Sequence, residues 1–334
     1  MLRQLTPHVF VMKHNHDTDR PALGLIAGKT ASLVVDGGNS PAHARAFLQG
    51  ISALGVAAPR YLALTHWHWD HVFGAPEMGL TTLANRRTQP HLLQMAGYTW
   101  DDDALARRVA QGEEIAFCAE NIKREFGAQR AIAVQGADIL FDQTLTVELG
   151  GLTCQLIHLG GEHSEDSTVV YCPQEGVLFL GDGLCQEMFH GEWSYDLADY
   201  RARIDKIKDL PCRFYVNSHW DVQDADEFTA YYRRLIALGE LAGESTDPAD
   251  ALGRYRRAHG CDPDEETEGD LLSFVHGNRK RQAAKKGSQQ EGEGAHHLVR
   301  PFSFPLSFVP QKQNGPATDV PSHFFWWSIG GSNS

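Results

Sequence analysis

The run Thr65-His66-Trp67-His68-Trp69-Asp70-His71 constrains this chain more than any other stretch. It follows Arg60-Tyr61-Leu62-Ala63-Leu64, which reads as a buried strand, so it sits where a strand opens into a loop. Alternate side chains of an extended segment share a face, and His66 and His68 therefore point into one pocket with Asp70 close behind. His71 cannot share that face in a regular strand, so the chain turns there. Three imidazoles and a carboxylate at this spacing suit a borderline cation such as zinc, which takes nitrogen and oxygen ligands. A histidine-rich surface loop is the competing reading. The position directly after an apolar strand favours ligation.

The rest of the composition narrows the class. The chain has 334 residues, 42% hydrophobic, enough for a sizeable core. A net charge of −13 argues against a general nucleic-acid binder. No apolar run approaches the roughly 20 residues of a membrane helix, and the N-terminus has no apolar stretch before a cleavage site. The six cysteines form no C-x-x-C pair and are scattered through apolar segments, so they read as reduced core residues of a cytoplasmic protein. The expected partner is a small molecule, with no nucleic acid and no membrane.

Strand-like runs at 9–12, 23–27, 31–35, 60–64, 139–141, 145–149, 154–158, 168–171, 177–180 and 213–216 alternate with helical stretches at 41–54, 197–210, 228–241 and 251–259. That alternation is the pattern of a layered α/β protein. Residues 85–126 read as a mainly helical insertion, with Asp101–Asp103 able to cap a helix. Several strands end on polar residues able to do chemistry. Residues 31–35 run into Asp36-Gly37-Gly38, and 154–158 into Leu159-Gly160-Gly161-Glu162-His163-Ser164. Residues 177–180 run into Gly181-Asp182-Gly183, with the soft donor Cys185 three residues on, and 213–216 run into Asn217-Ser218-His219. From His276 the character changes. Residues 276–334 carry seven Lys/Arg against three Asp/Glu, no period persists, and the segment reads as a disordered tail after a domain of residues 1–275 whose last part, 224–275, is helical.

These motifs, in this order, resemble those of the metallo-β-lactamase-fold hydrolases over roughly residues 8–222. The resemblance implies a four-layer αββα sandwich with the site at one edge, which periodicity alone does not give. It implies that Asp36 orients the metal loop through hydrogen bonds behind the ligands. It also implies that the insertion lies over the mouth of the site, with packing on an outer face as the alternative. Carried over residue by residue, His66, His68 and His163 hold a first metal. Asp70, His71 and His219 hold a second, and Asp182 bridges the two. His158 falls behind the ligands or in the core.

The implied activity is that of a hydrolase using a dinuclear zinc site, with iron or manganese as other occupants. A bridging hydroxide acts on a small ester, thioester, lactone or phosphodiester, with Asp70 and Asp182 taking part in the chemistry. The zinc β-lactamases lack the bridging aspartate, so Asp182 argues against β-lactam hydrolysis. A di-iron redox protein of the same fold is a further alternative, opposed by a histidine at His68. Related thioesterases carry a basic C-terminal helical region, to which Arg254, Arg256 and Arg257 are a thin match. Trp67, Trp69, Trp193, Tyr195 and Trp220 lie near the motifs, either as a ring-binding surface or as core.

Overall fold

Burial of both faces of the strands organises the molecule. In the computed structural model, which describes residues 2–128 and 130–293 and only the backbone of 287–293, the strands form two sheets. Among the described residues the first sheet is β1 (Leu2–Thr6), β2 (Val9–Met12), β3 (Leu23–Ala27), β4 (Ser32–Val35), β5 (Pro59–Ala63), β6 (Thr81–Asn85) and β7 (Ile139–Phe141), in that spatial order. The second contains β8 (Thr144–Glu148), β9 (Thr153–His158), β10 (Thr168–Cys172), β11 (Val177–Gly181), β12 (Phe214–Asn217) and β13 (Gln223–Asp224), in the order β13-β12-β11-β10-β9-β8.

Period-two side chains decide the layers. In β4, Leu33 and Val35 face an apolar cluster shared with β11 residues Val177 and Phe179, so this cluster lies between the sheets. Val34 points the other way, to Ala44, Phe47 and Ile51 of helix α1 (Pro41–Ser52). Leu178 and Leu180 of β11 likewise face outward, onto Tyr200 and Ile204 of a helix over Leu197–Ile207 and onto Phe228 and Leu235. Strands buried on both faces read as continuous apolar runs, which is why they are visible in the sequence. The result is helices, sheet, sheet, helices: the αββα sandwich.

The remaining helices follow in chain order. They are α2 (Trp69–Val72), α3 (Ala75–Met78), α4 (Thr88–Ala96), α5 (Asp102–Gln111), α6 (Ala116–Phe126), α7 (Leu197–Ile207), α8 (Ala225–Ala242), α9 (Pro248–His259) and α10 (Glu265–Glu293). The insertion at 85–126 comprises α4, α5 and α6. It packs beneath the metal motif: Phe73 meets Trp100 at 4.7 Å and Phe126 at 6.1 Å between ring centres. Its first helix also reaches the motif itself, through a stack of His91 on Trp67.

Two expectations are corrected. Disorder from residue 276 gives way to helix, because α10 continues to Glu293. Leu271, Phe274, Val275 and Asn278 are buried at helical spacing and anchor it, and Arg279 to Lys286 are mostly good helix formers. The chain divides into two units after Asn278, inside this helix. Residues 294–334 lie outside the described residues. Among the cysteines, Cys118, Cys154, Cys172 and Cys185 are buried and free as expected, but Cys261 is exposed. Among the described residues no helix is long and apolar enough to cross a membrane.

Candidate metal centre

The motif residues meet because parallel strand pairs end at one edge. β4 and β5 run parallel, with Val35 beside Ala63, so Asp36 arrives next to Thr65. β11 and β12 run parallel, with Gly181 beside Asn217, so Asp182 and His219 leave their strands together. The two sheets are tied at this edge by Thr168 N–H donating to the Thr65 carbonyl at 2.7 Å. Gly181 has φ +55, and a Cβ there would stand 2.6 Å from Cβ of Thr65, so only glycine allows the close approach. The turn expected at His71 is the single helical turn α2, which begins after His68 and swings Asp70 and His71 back toward the strand ends.

The seven candidate ligands fall into two buried groups. His66, His68 and His163 form one, and Asp70, His71, Asp182 and His219 form the other, with the donor atoms of each group within 4.8 Å of one another. Asp182 faces both. Its Oδ2 lies 3.9 Å from His66 Nε2, 3.6 Å from His163 Nε2, 3.6 Å from His71 Nε2 and 3.4 Å from His219 Nε2. Asp70 Oδ2 lies 3.0 Å from His71 Nε2 and 3.2 Å from His219 Nε2. Cys185 is buried but belongs to neither group.

Groups behind the ligands set their orientation. Asp36 reaches His71 Nδ1 at 2.9 Å and accepts the Thr65 amide and hydroxyl, as expected. The Gln186 carbonyl lies 2.8 Å from His163 Nδ1. His158 is not in the core. It is half-buried, and its Nε2 pairs with the Glu165 carbonyl of the loop that carries His163. Beneath the same loop the buried Arg203 donates to the Gly183 carbonyl at 2.7 Å. Asp19, which the sequence reading passes over, lies 3.4 Å from His219 Nδ1. Nothing in Thr18-Asp19-Arg20 marks it out from an ordinary polar turn.

Electrostatics separates the groups. Burial holds His66 and His68 well below the usual imidazole range, with a neighbouring imidazole adding to it in each case. Burial also lowers His163, partly offset by Asp182. In His71 burial opposes protonation, but Asp70, Asp36 and Asp182 outweigh it and raise the group well above its usual value. His219 is raised in the same way by Asp182 and Asp19 against burial. Burial opposes ionisation of Asp70 and Asp182, yet His71 and His219 outweigh it and hold both carboxyls well below the usual range.

The donor set fits a pair of divalent cations. His66 Nε2 and Asp182 Oδ1 are buried without a hydrogen-bond partner, a costly state for a polar atom unless a ligand completes it. His163 Nε2 and His68 Nδ1 stand 3.1 Å apart, so in the metal-free chain one ring donates to the other, and a cation bound there would take the place of that hydrogen bond. Three nitrogens on one side, and two nitrogens with carboxylates on the other, match zinc's preferred donors.

The aromatics divide between the two readings. Trp69 and Tyr195 are core, 3% and 2% exposed. Trp67 is half-buried, stacks on His91 at 4.5 Å and stands edge-on to His68 at 4.7 Å, and Phe189 lies 4.8 Å from His68. Trp193 is 36% exposed, and Trp220 lines a small cavity with Val11, Lys13 and His14. Of the basic residues at 254–257, Arg254 pairs with Asp250 and Arg256 with Asp262.

Known proteins are similar to parts of this chain. An atrochrysone carboxyl ACP thioesterase from Claviceps purpurea (strain 20.1) is 24% identical over 193 residues, covering 58% of this chain and 48% of that protein. A metallo-beta-lactamase type 2 from Bacteroides fragilis is 36% identical over 86 residues, covering 24% of this chain and 34% of that protein. The matches thus span less than half the length of either relative. A beta-lactamase domain protein from Burkholderia ambifaria shares the fold, with a TM-score of 0.55 at 17% identity, covering 85% of this chain and 88% of that one. The family model of the metallo-beta-lactamase superfamily matches residues 21–219, more than half of the chain, and the chain belongs to that superfamily.

Proposed function

We propose that the chain is a hydrolase with a dinuclear zinc site acting on a small ester, thioester, lactone or phosphodiester. The position of Asp182 carries this reading. One carboxylate oxygen faces histidines of both groups at 3.4–3.9 Å, which is what a residue shared by two cations requires. His66, His68 and His163 would hold one ion, and Asp70, His71 and His219 the other. When bound, such a pair would supply Lewis acidity and lower the pKa of a coordinated water toward about 7.

The chain's own residues do the rest. Asp36 keeps His71 turned so that Nε2 faces the site, and the Gln186 carbonyl does the same for His163. Asp70 stays ionised, so it is a ligand first and a weak proton acceptor second. Trp67, His91 and Phe189 form an aromatic flank beside His68, suited to a ring-bearing or hydrophobic substrate. That flank and the likeness to an ACP thioesterase put thioesters first among the substrates to try.

The test combines elemental analysis of the dialysed protein with a panel of aryl and alkyl thioesters, esters, lactones, phosphodiesters and a β-lactam. Two zinc ions per chain and turnover of a thioester or ester is the expected result. Fewer than two ions, or turnover of the β-lactam alone, would sink the proposal.

A further inference from the structure

His71 and His219 share an arrangement, each with an aspartate behind its Nδ1, hydrogen-bonded at His71 and at a longer ion-pair distance at His219. Each turns Nε2 toward Asp70 and Asp182. Behind His71, Nδ1 meets Asp36 at 2.9 Å. Behind His219, Nδ1 lies 3.4 Å from Asp19 Oδ1. Asp19 and Asp36 also share a backbone peculiarity. They are the non-glycine residues with positive φ among the described residues, at +58° and +63°. That region is unfavourable for a residue with a Cβ and persists where the surroundings impose it, often at functional sites.

The surroundings of Asp19 do impose it. Asn15 and Arg20 exchange both backbone hydrogen bonds, at 2.9 and 2.8 Å, closing the loop around it. Thr18 and Arg20, its two neighbours, both donate to Glu125 of α6, Arg20 through Nη2 at 2.7 Å. Asn39 Nδ2 donates to the Thr18 carbonyl at 2.8 Å, and Ser40, the next residue, donates to the same Glu125. The Glu125 side chain is 2% exposed. The helical insertion therefore grips the loop on both sides of Asp19, which is itself 5% exposed against His219.

We propose that Asp19 is a positioning residue for His219. It accepts the Nδ1 proton of His219, as Asp36 does for His71, and so leaves Nε2 to the cation. This rests on the dinuclear reading above. Loss of such a group behind a ligating histidine costs about ten- to a hundredfold in metal affinity.

The experiment titrates the full chain with zinc against a competing chelator, in wild type, Asp19→Gly and Asp19→Asn, with thermal melts and the absorption spectrum of cobalt-loaded protein alongside. Glycine is at ease at positive φ, so Asp19→Gly is expected to melt at or above the wild type. It should still bind the second ion about ten- to a hundredfold more weakly, keep the first within about threefold, and alter the cobalt spectrum. Asp19→Asn tolerates the same backbone and keeps an acceptor oxygen, so it should retain most of the affinity. Wild-type affinity for both ions in Asp19→Gly overturns the proposal. So does an equal loss of both ions together with a lowered melting temperature, or a loss in Asp19→Asn as large as in Asp19→Gly. A wild-type chain that holds one ion overturns the dinuclear reading instead, before any variant is compared.

Discussion

Asp36 Oδ2 lies 2.9 Å from His71 Nδ1, and the same carboxylate accepts the Thr65 amide at 2.8 Å and the Thr65 hydroxyl at 2.9 Å. One buried aspartate thus fixes both the first residue of the metal motif and the imidazole at its end. Asp36→Ala should weaken metal binding by about ten- to a hundredfold. It should also destabilise the metal-free chain by ~1–3 kcal/mol, because the buried Thr65 amide loses its acceptor. Equilibrium dialysis and denaturant unfolding measure the two effects separately. A destabilised variant with wild-type metal affinity would show that Asp36 serves the fold and not the site.

Side chains adjacent to the ligands should matter much less than the ligands. Ser164 donates to the buried carboxylate of Asp166, and Cys185 lies outside both ligand groups. Ser164→Ala and Cys185→Ala are therefore expected to retain both ions and most turnover on whichever substrate the panel finds. His163→Ala should lose the first ion and nearly all turnover. Equal losses in all three would contradict these roles. A covalent adduct on Ser164 or Cys185 in intact-mass spectra would replace them with catalysis by a side-chain nucleophile.

Metal uptake should release protons. In the metal-free chain the carboxylates hold protons on His71 and His219 above the ordinary imidazole range. A cation must displace them, so affinity at that group rises with pH and levels once both rings are neutral. The stability of the metal-free chain has the opposite slope from these two groups. Their raised folded pKa values add stability that is full below about 6.5 and is lost as pH rises through the folded values. Calorimetric zinc titration in two buffers of different ionisation enthalpy measures the release. Identical heats in both buffers would count against it.

Truncation should reveal how far the fold extends. Asn278 Nδ2 contacts the carbonyls of Gly243 and Ser245, both at 2.9 Å, where the chain leaves α8. Ending the chain at residue 275 removes those bonds and cuts α10 just past its buried Phe274 and Val275. A loss of ~1–3 kcal/mol in denaturant unfolding is expected, with Asn278→Ala reproducing part of it. A chain ending at 275 that unfolds like the full chain would place the structural boundary back at that residue.

What the sequence determined by itself is local. The candidate ligands lie at or shortly after the ends of apolar runs, and a strand buried on both faces is written as such a run; His66 and His68 stand out by their own spacing, while Asp182 and His219 are singled out by the resemblance to a known family. The short Thr81–Asn85 and Leu2–Thr6 strands escaped because they carry little of that signal. The tertiary structure decided what depends on partners far along the chain. Asp182 rather than Cys185 faces the histidines because β11 and β12 run parallel and end together. α10 persists past residue 275 because Phe274, Val275 and Asn278 are buried in a helix that His276 and the charged residues beyond it concealed. Asp19 meets His219 across 200 residues, in a loop gripped from a third place, Glu125. No periodicity or motif encodes a contact of that kind, because it arises only when separate segments are brought to the same edge of the sandwich.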